Sequence, residues 1–416
     1  MASSAKQYVN PSFKGFQDGT QDQPWRSLQP AVEYFRNSPY NNVHINVSGD
    51  VHLGQQILKL HKICDARIEF YACNDDWSRM VNDKILIESD STPMIDHDGG
   101  DYLFWHFNMG NYTRKSAGQN AYVGSGTNAT MDFNECNFRT GSQSGTITAE
   151  RGARVNLGGT TLINPEAYDA PIANMRYSFA GLTATTGGHI RCSNKKDRLV
   201  MGNGSASASL GGIIEFGWPE VFINNYTGNN LLSGNDFALL MLRGSEFTLN
   251  ARADSNTVIG FEVGCQCMAE DAWVRILSHD HDQSIALQKW SHVSWGGGGV
   301  VAVGDKGLRI GATQTSGMMI PLKFEEGGHV KDFFADMGAQ IFASGDIPSG
   351  YRVNQGRLGE VVVNDVKHQA VSPMGAIQDD HHEVQGCCEK QFRMWRDKSD
   401  CYGYLDPVQP MGHDIP

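Results

Sequence analysis

The sequence predicts an all-β solenoid, a right-handed parallel β-helix with a short N-terminal capping helix and an irregular C-terminal tail. Three observations carry this. Glycine fills 47 of 416 positions, above the ordinary share of about 7%, and Asn, Ser and Thr are frequent, which suits short strands joined by tight turns. No amphipathic run of helical spacing reaches ten residues between Asn42 and Val371. From about Gly145 a small residue, often Gly, precedes a short alternating strand, at 152–157, 188–192, 212–216, 244–249, 271–276, 291–295 and 328–333. Successive starts differ by 20 to 37 residues, as in coils with variable insertions. A single coil cannot bury its apolar face, whereas stacked coils share a continuous core. Glycine at the coil corners is expected to supply positive φ. Two β-sandwiches are the competing fold. They need antiparallel hairpins with turns every 8–12 residues, and two-residue Asn-Gly or Asp-Gly turns between matched strands are few.

Taken in order, residues 1–14 are polar and read as a flexible arm. Residues 15–42 read as a capping segment. Trp25, Leu28, Val32 and Phe35 share one helical face, Pro24 suits a first turn, and the helix falls between Pro24 and Asn37. Residues 43–345 read as the β-helix, with the stack running from about Val43 to about Ser344. Its first strands alternate at 43–47, 67–71 and 84–88, and an aromatic strand follows at 102–107. Residues 346–416 lose the coil pattern, gain prolines, and read as an extension for docking or interchain contacts. Phe392, Met394, Trp395 and Tyr404 there are costly to leave exposed.

The formal net charge is −12, and no Lys/Arg-rich run is present. This argues against a nucleic-acid partner, which needs a basic face. No stretch of ~20 apolar residues offers a membrane span. The N-terminus shows no apolar signal region, so synthesis and folding in a cytoplasm are expected. Nine cysteines are present. Cys64, Cys73, Cys136 and Cys192 sit in apolar contexts and read as buried small hydrophobes. Cys387, Cys388 and Cys401 in the tail read as packing or interchain residues.

The segment Asp18-Gly19-Thr20, then Pro24-Trp25-Arg26-Ser27-Leu28-Gln29 and the strand at 43–47, resembles the N-terminal cap of pectate-lyase-like β-helices, common in bacteriophage tailspikes and tail fibres. The resemblance covers residues 15–54, about a tenth of the chain. It implies a right-handed β-helix, a homotrimer and a place on a virion or cell surface, where some members cleave or bind polysaccharide. The calcium-binding and arginine motifs of pectate lyases are absent. Only about 14 residues precede the cap, where tailspikes usually carry a particle-binding head.

Glycosidases need two carboxylates, ~5–5.5 Å or ~6.5–9.5 Å apart, which a β-helix can draw from neighbouring coils. A 27-residue coil offset sets Asp254 beside His281, flanked by Asp280 and Asp282, and close carboxylates push their pKa values apart as acid–base work needs. Asp254, Asp280 and Asp282 are therefore the candidate catalytic residues, with Trp273, Trp290 and His281 as candidate substrate contacts. A solvated polar turn is the plainer reading of this cluster. His279 and His281 also offer a metal pair on an oligomer axis, but no metal and no cofactor is expected. Asp96-His97-Asp98 reads as a polar turn. The expected function is a virion appendage, a tail fibre or tailspike that binds the host surface or other virion proteins. The alternative is a polysaccharide depolymerase on the same fold, and a non-viral surface or spore-type β-helix ranks third. Expected partners are further copies of the chain, other virion proteins and host-surface polysaccharide. Binding is expected rather than cleavage.

Overall fold

The computed structural model describes residues 4–36, 39–40, 42–81, 83–91, 93–110, 121–139, 147–158, 181–192, 198–202, 204–217, 219–225, 230–251, 257–279 and 281–368. The chain winds as a parallel β-helix with three faces. In one coil it runs through a first sheet at Leu239–Arg243, a second at Glu246–Ala251 and a third at Thr257–Phe261, then returns to the first at Gln266–Glu270. Each strand pairs in parallel with its counterpart one coil on. The third sheet stacks twelve strands among the described residues. Coil length, read from first-sheet register, ranges from 38 residues (Val9 to Val47) to 20 (Ile341 to Val361). The late coils are short because one nine-residue strand, Gly317–Glu325, pairs with both the first and the second sheet and removes a corner.

The two-residue period of a strand turns alternate side chains inward. In the first sheet this builds a buried column of Val43, Ile68, Tyr102, Met131, Val155 and Ile190, each set on the residue one coil before. Two positions on, Phe70 and Phe104 stack at 4.2 Å with rings 2° from parallel, and Phe133 follows at 5.9 Å. Cys73, Cys136 and Cys192 are buried, and Cys64 is half-buried.

Both ends of the stack extend past the expected bounds. Residues 4–9 are not an arm. Ser4–Val9 pairs in parallel with Asn42–Ser48 as a first rung, with Val9 buried, because Tyr8-Val9 carries enough β-propensity to join an offered edge. At the other end the coil pattern continues beyond residue 345. Arg352–Gln355 joins the third sheet and Glu360–Val363 the first, and Val366–His368 folds back antiparallel on the latter. The cysteines and aromatics expected to dock in the tail lie outside the described residues.

The helix Leu28–Glu33 lies within the expected window and buries Leu28, Ala31 and Val32, with Phe35 just beyond. Gln29 shows what the cap box does. Its carboxamide accepts from the Lys59 N–H at 3.0 Å and donates to the Lys59 carbonyl at 3.1 Å. That satisfies the backbone of Leu58–Leu60, the first strand of the third sheet, which would otherwise present a bare edge.

The corner from third to first sheet is a two-residue left-handed turn in successive coils. The pairs include Arg151/Gly152, Thr186/Gly187, Leu210/Gly211 and Val263/Gly264, with φ between 49° and 84°. Gly188 and Gly212, which the repeat pattern singles out for positive φ, have another reason to be glycine. A Cβ on either would lie 2.0 or 2.2 Å from a carbonyl oxygen of the preceding coil.

Candidate functional site

Of the candidates read from the sequence, the described Trp273, Trp290 and Asp282 sit at separate stations of the coil. Trp273 lies on the second sheet with the Lys323 ammonium 3.7 Å from its ring centroid. Trp290 lies on the corner between third and first sheets. Asp282 precedes the third-sheet strand Gln283–Leu287, with His281 beside it. Asp282 accepts from Arg309 at 2.8 Å and from Lys331 at 2.6 Å. Arg309 in turn lies 3.7 Å from the buried Asp332, which also accepts from Arg352 at 2.7 Å. Arg309, Asp332 and Arg352 are in register on successive coils, so this is an alternating charge ladder along the stack. Asp254 and Asp280 lie outside the described residues.

His97 is not in a polar turn. It ends the strand Ile95–His97 and is fully buried. Its Nε2 faces the carbonyl oxygens of Gly99 at 3.0 Å and Gly100 at 3.2 Å, so Nε2 carries the proton and Nδ1 accepts from the Tyr122 hydroxyl at 2.7 Å. Burial lowers its pKa to about 4, which makes it a neutral core residue.

A cluster that local sequence density does not reveal lies on the outer face of the first sheet. Glu69, Leu103 and Asp132 form one outward column, and Asp101 stands in the next. Arg67 reaches all three carboxylates. Its Nε lies 3.9 Å from both Glu69 and Asp101, and its terminal nitrogen donates to Asp132. Because Glu69 and Asp132 are two coils apart, the guanidinium spans the strand between them, where Leu103 is buried although it points outward. Asn156 holds the other Asp132 oxygen at 2.6 Å. Tyr71 donates to Glu69 and lies under the Arg79 guanidinium, 3.5 Å from its ring centroid. Burial first, then the Glu69 contact, pushes the Tyr71 hydroxyl to about 12. Burial also raises the Asp101 carboxyl. Arg67 opposes that shift, while Asp132 and Glu69 add to it.

The face continues at the next corner. Trp105 follows Tyr71 in register with ring centroids 5.8 Å apart, and it stacks on His106 at 6.0 Å. His106 pairs with Glu135 at 2.5 Å, and Lys84 donates to the Glu135 carbonyl and to Asn137. Burial lowers the His106 pKa, and Glu135 pulls the other way. Four atoms here are buried without a hydrogen bond: Arg67 Nε, Asp101 Oδ1, Trp105 Nε1 and His106 Nδ1. Buried polar groups are nearly always satisfied, so their concentration on two adjacent coils sets this face apart from the rest of the described stack.

Comparison of the chain with protein-family models, with curated proteins and with solved structures returns no match.

Proposed function

We propose that this chain is a surface-binding β-helix of the tail-fibre or tailspike kind, part of a virion, and that it recognises a host-surface polysaccharide on the outer face of its first sheet between Arg67 and Glu135. One observation carries the choice of site: a Tyr–Trp–His aromatic run lies beside three carboxylates that share one arginine. Sugars offer both hydroxyls for carboxylates and a guanidinium and apolar ring faces for aromatics. Support for the virion setting comes from the stacked architecture and from the cap residues 24–29, where Gln29 seals the sheet edge.

Binding is favoured over cleavage because the carboxylates are engaged: Asp132 by Arg67 and Asn156, Glu69 by Tyr71 and Arg67. One feature supports the depolymerase alternative, the raised pKa of Asp101 beside two further carboxylates, an asymmetry that acid–base hydrolysis uses. A single experiment separates the two. The chain is titrated calorimetrically with purified capsule and lipopolysaccharide polysaccharides, and new reducing ends are counted over a day. Binding without new ends, weakened at least tenfold by Trp105→Ala and by Asp101→Asn, is expected. New ends that vanish in Asp101→Asn would install the hydrolase reading. Binding untouched by both substitutions would remove the site.

A further inference from the structure

Thirteen large apolar side chains are exposed among the described residues, and eight of them lie along one edge of the stack. Five stand on the corner between the third and first sheets: Leu210, Phe237, Trp290, Met337 and Leu358. The corner is hydrogen-bonded from rung to rung. Phe237 N–H donates to Val263 O, Gly264 N–H to Lys289 O, Trp290 N–H to Gln314 O and Thr315 N–H to Met337 O. The other three, Met268, Met319 and Phe342, share one outward column of the first sheet, as the register Met268 to Ser294 and Met319 to Phe342 shows. Half-buried Met241 stands in that column one coil before Met268, and half-buried Leu239 lies between it and the corner.

The corner residues run against stability twice over. Their apolar surface faces water, and their backbone is left-handed. Phe237 (φ 62°) and Trp290 (φ 66°) occupy the second position of the turn, where other coils place Gly211, Gly264 and Gly338. This conformation disfavours any L-residue and a bulky one most. Glycine would serve the fold better, so the aromatics answer to something outside the coil. The Phe237 ring lies against the next rung, where a Cβ on Gly264 would sit 2.6 Å from it.

We propose that this edge is the interface with a second copy of the chain, laid side by side along the stack axis. The strip runs through seven rungs from Leu210 to Leu358, about 29 Å at ~4.8 Å per rung, and follows the axis. A partner that covers it must offer an equally straight apolar edge, and another copy does. The eight side chains are 41 to 90% exposed. At about 200 Å² for a fully exposed large side chain, their exposed area comes to about 900 Å², against the ~800 Å² per partner of a standard stable interface. A linear glycan would need polar groups between its stacking rings, whereas aliphatic Leu210, Met337 and Leu358 share this corner with the aromatics. The assignment uses none of the residues of the polysaccharide face. It gives the self-association expected from the sequence a surface other than the tail.

The test is sedimentation equilibrium on the full chain, whose monomer mass is 45.7 kDa. The wild type is expected to sediment as a multimer. The double variant Phe237→Gly/Trp290→Gly, which relieves the left-handed strain, and the separate Met319→Arg are each expected to weaken association at least tenfold. Melting temperature should hold or rise in the double variant. Val81→Arg, at an exposed position away from the edge, should sediment as wild type. A monomeric wild type at every concentration would overturn the proposal. So would a multimer unchanged by both edge variants, which would place the contact elsewhere, or a loss of polysaccharide binding with no change in mass.

Discussion

Adjacent glycines at one corner should respond differently to the same substitution. Gly211 has φ +73° with no atom within 4 Å of a built Cβ. Gly211→Ala therefore costs only the left-handed conformation, about 1 kcal/mol. At Gly212 a Cβ would meet the Ala184 carbonyl oxygen at 2.2 Å and its carbon at 2.5 Å. Both are backbone atoms of the preceding coil. Reaching an ordinary C···O contact of about 3.3 Å requires the coils to part by roughly 1 Å. Moving Gly212 disturbs three hydrogen bonds: Ile213 N–H to Gly188 O at 2.9 Å on the preceding coil, Gly212 N–H to Ser209 O at 2.8 Å within the turn, and Leu239 N–H to Gly212 O at 3.0 Å on the following coil. At about 1 kcal/mol each, Gly212→Ala should cost about 3 kcal/mol. Asparagine discriminates further, since it tolerates the left-handed region. Gly211→Asn should sit near wild type, and Gly212→Asn should be at least as damaging as alanine. Guanidinium denaturation followed by circular dichroism gives the global cost. Amide exchange at Ile213 and Leu239 detects local fraying, which a stack of nearest-neighbour units permits. A Gly212→Ala protein as stable as Gly211→Ala would refute the close-approach argument.

Phe104→Ala removes the middle ring of the Phe70–Phe104–Phe133 stack, all three fully buried. It should cost about 3–5 kcal/mol, measured by the same denaturation, and a loss under 1 kcal/mol would show that the stack can collapse around the gap. His97 should make stability depend on pH. Its folded pKa is lowered to about 4 against about 6.5 unfolded, so the unfolded chain takes up the proton first on acidification. The contribution is complete above pH 6.5 and is lost as pH falls toward 4, about 3 kcal/mol in all. His97→Gln should flatten this part of the profile, and parallel wild-type and variant profiles would refute the assignment.

The alternation of strands 43–47 and 67–71, the helical face of Trp25, Leu28, Val32 and Phe35, and the turn-rich composition are local patterns, and the parallel β-helix was legible in them. Register is not local. The repeats starting at 152, 188, 212 and 291 lead into the first sheet, those at 244 and 271 into the second, and that at 328 into the third. Their spacing therefore mixes whole coils with parts of coils. The corner signal is further hidden because Phe237, Trp290 and Thr315 stand where other coils have glycine. The same cause hid the polar face. Glu69, Asp101 and Asp132 are far apart in sequence and stand in two columns, so only the buried ladder Ile68–Tyr102–Met131 brings them together. Charge density pointed instead to 278–282, where Asp282 is taken up by Arg309 and Lys331. His97 looked solvated between two aspartates because nothing local reveals Tyr122 on the next coil.

The two surfaces proposed above are linked through valency. The inner columns of a solenoid accept almost any apolar side chain of suitable volume, so their identities report the fold. The outer columns are free of that demand, and this stack divides them. Charged and aromatic groups hold the outer first-sheet columns around residues 67–135, and exposed apolar groups hold the corner and one first-sheet column between 210 and 358. If copies join through the apolar edge, each assembly carries several polysaccharide sites on a rigid frame. Once one site engages a long chain, the next meets the same polymer at a high effective concentration, and avidity exceeds the single-site affinity by 10²–10⁴. The edge variant Phe237→Gly/Trp290→Gly should therefore bind immobilised long polysaccharide at least a hundredfold more weakly than wild type. Its affinity for an oligosaccharide too short to bridge two sites should be unchanged. Trp105→Ala should weaken both. Surface plasmon resonance with the two ligands in parallel measures the ratio. An edge variant that lost both affinities equally would mean that the apolar edge contributes to the sugar site itself. Loss of neither would mean that binding is monovalent and that association, where present, serves another end.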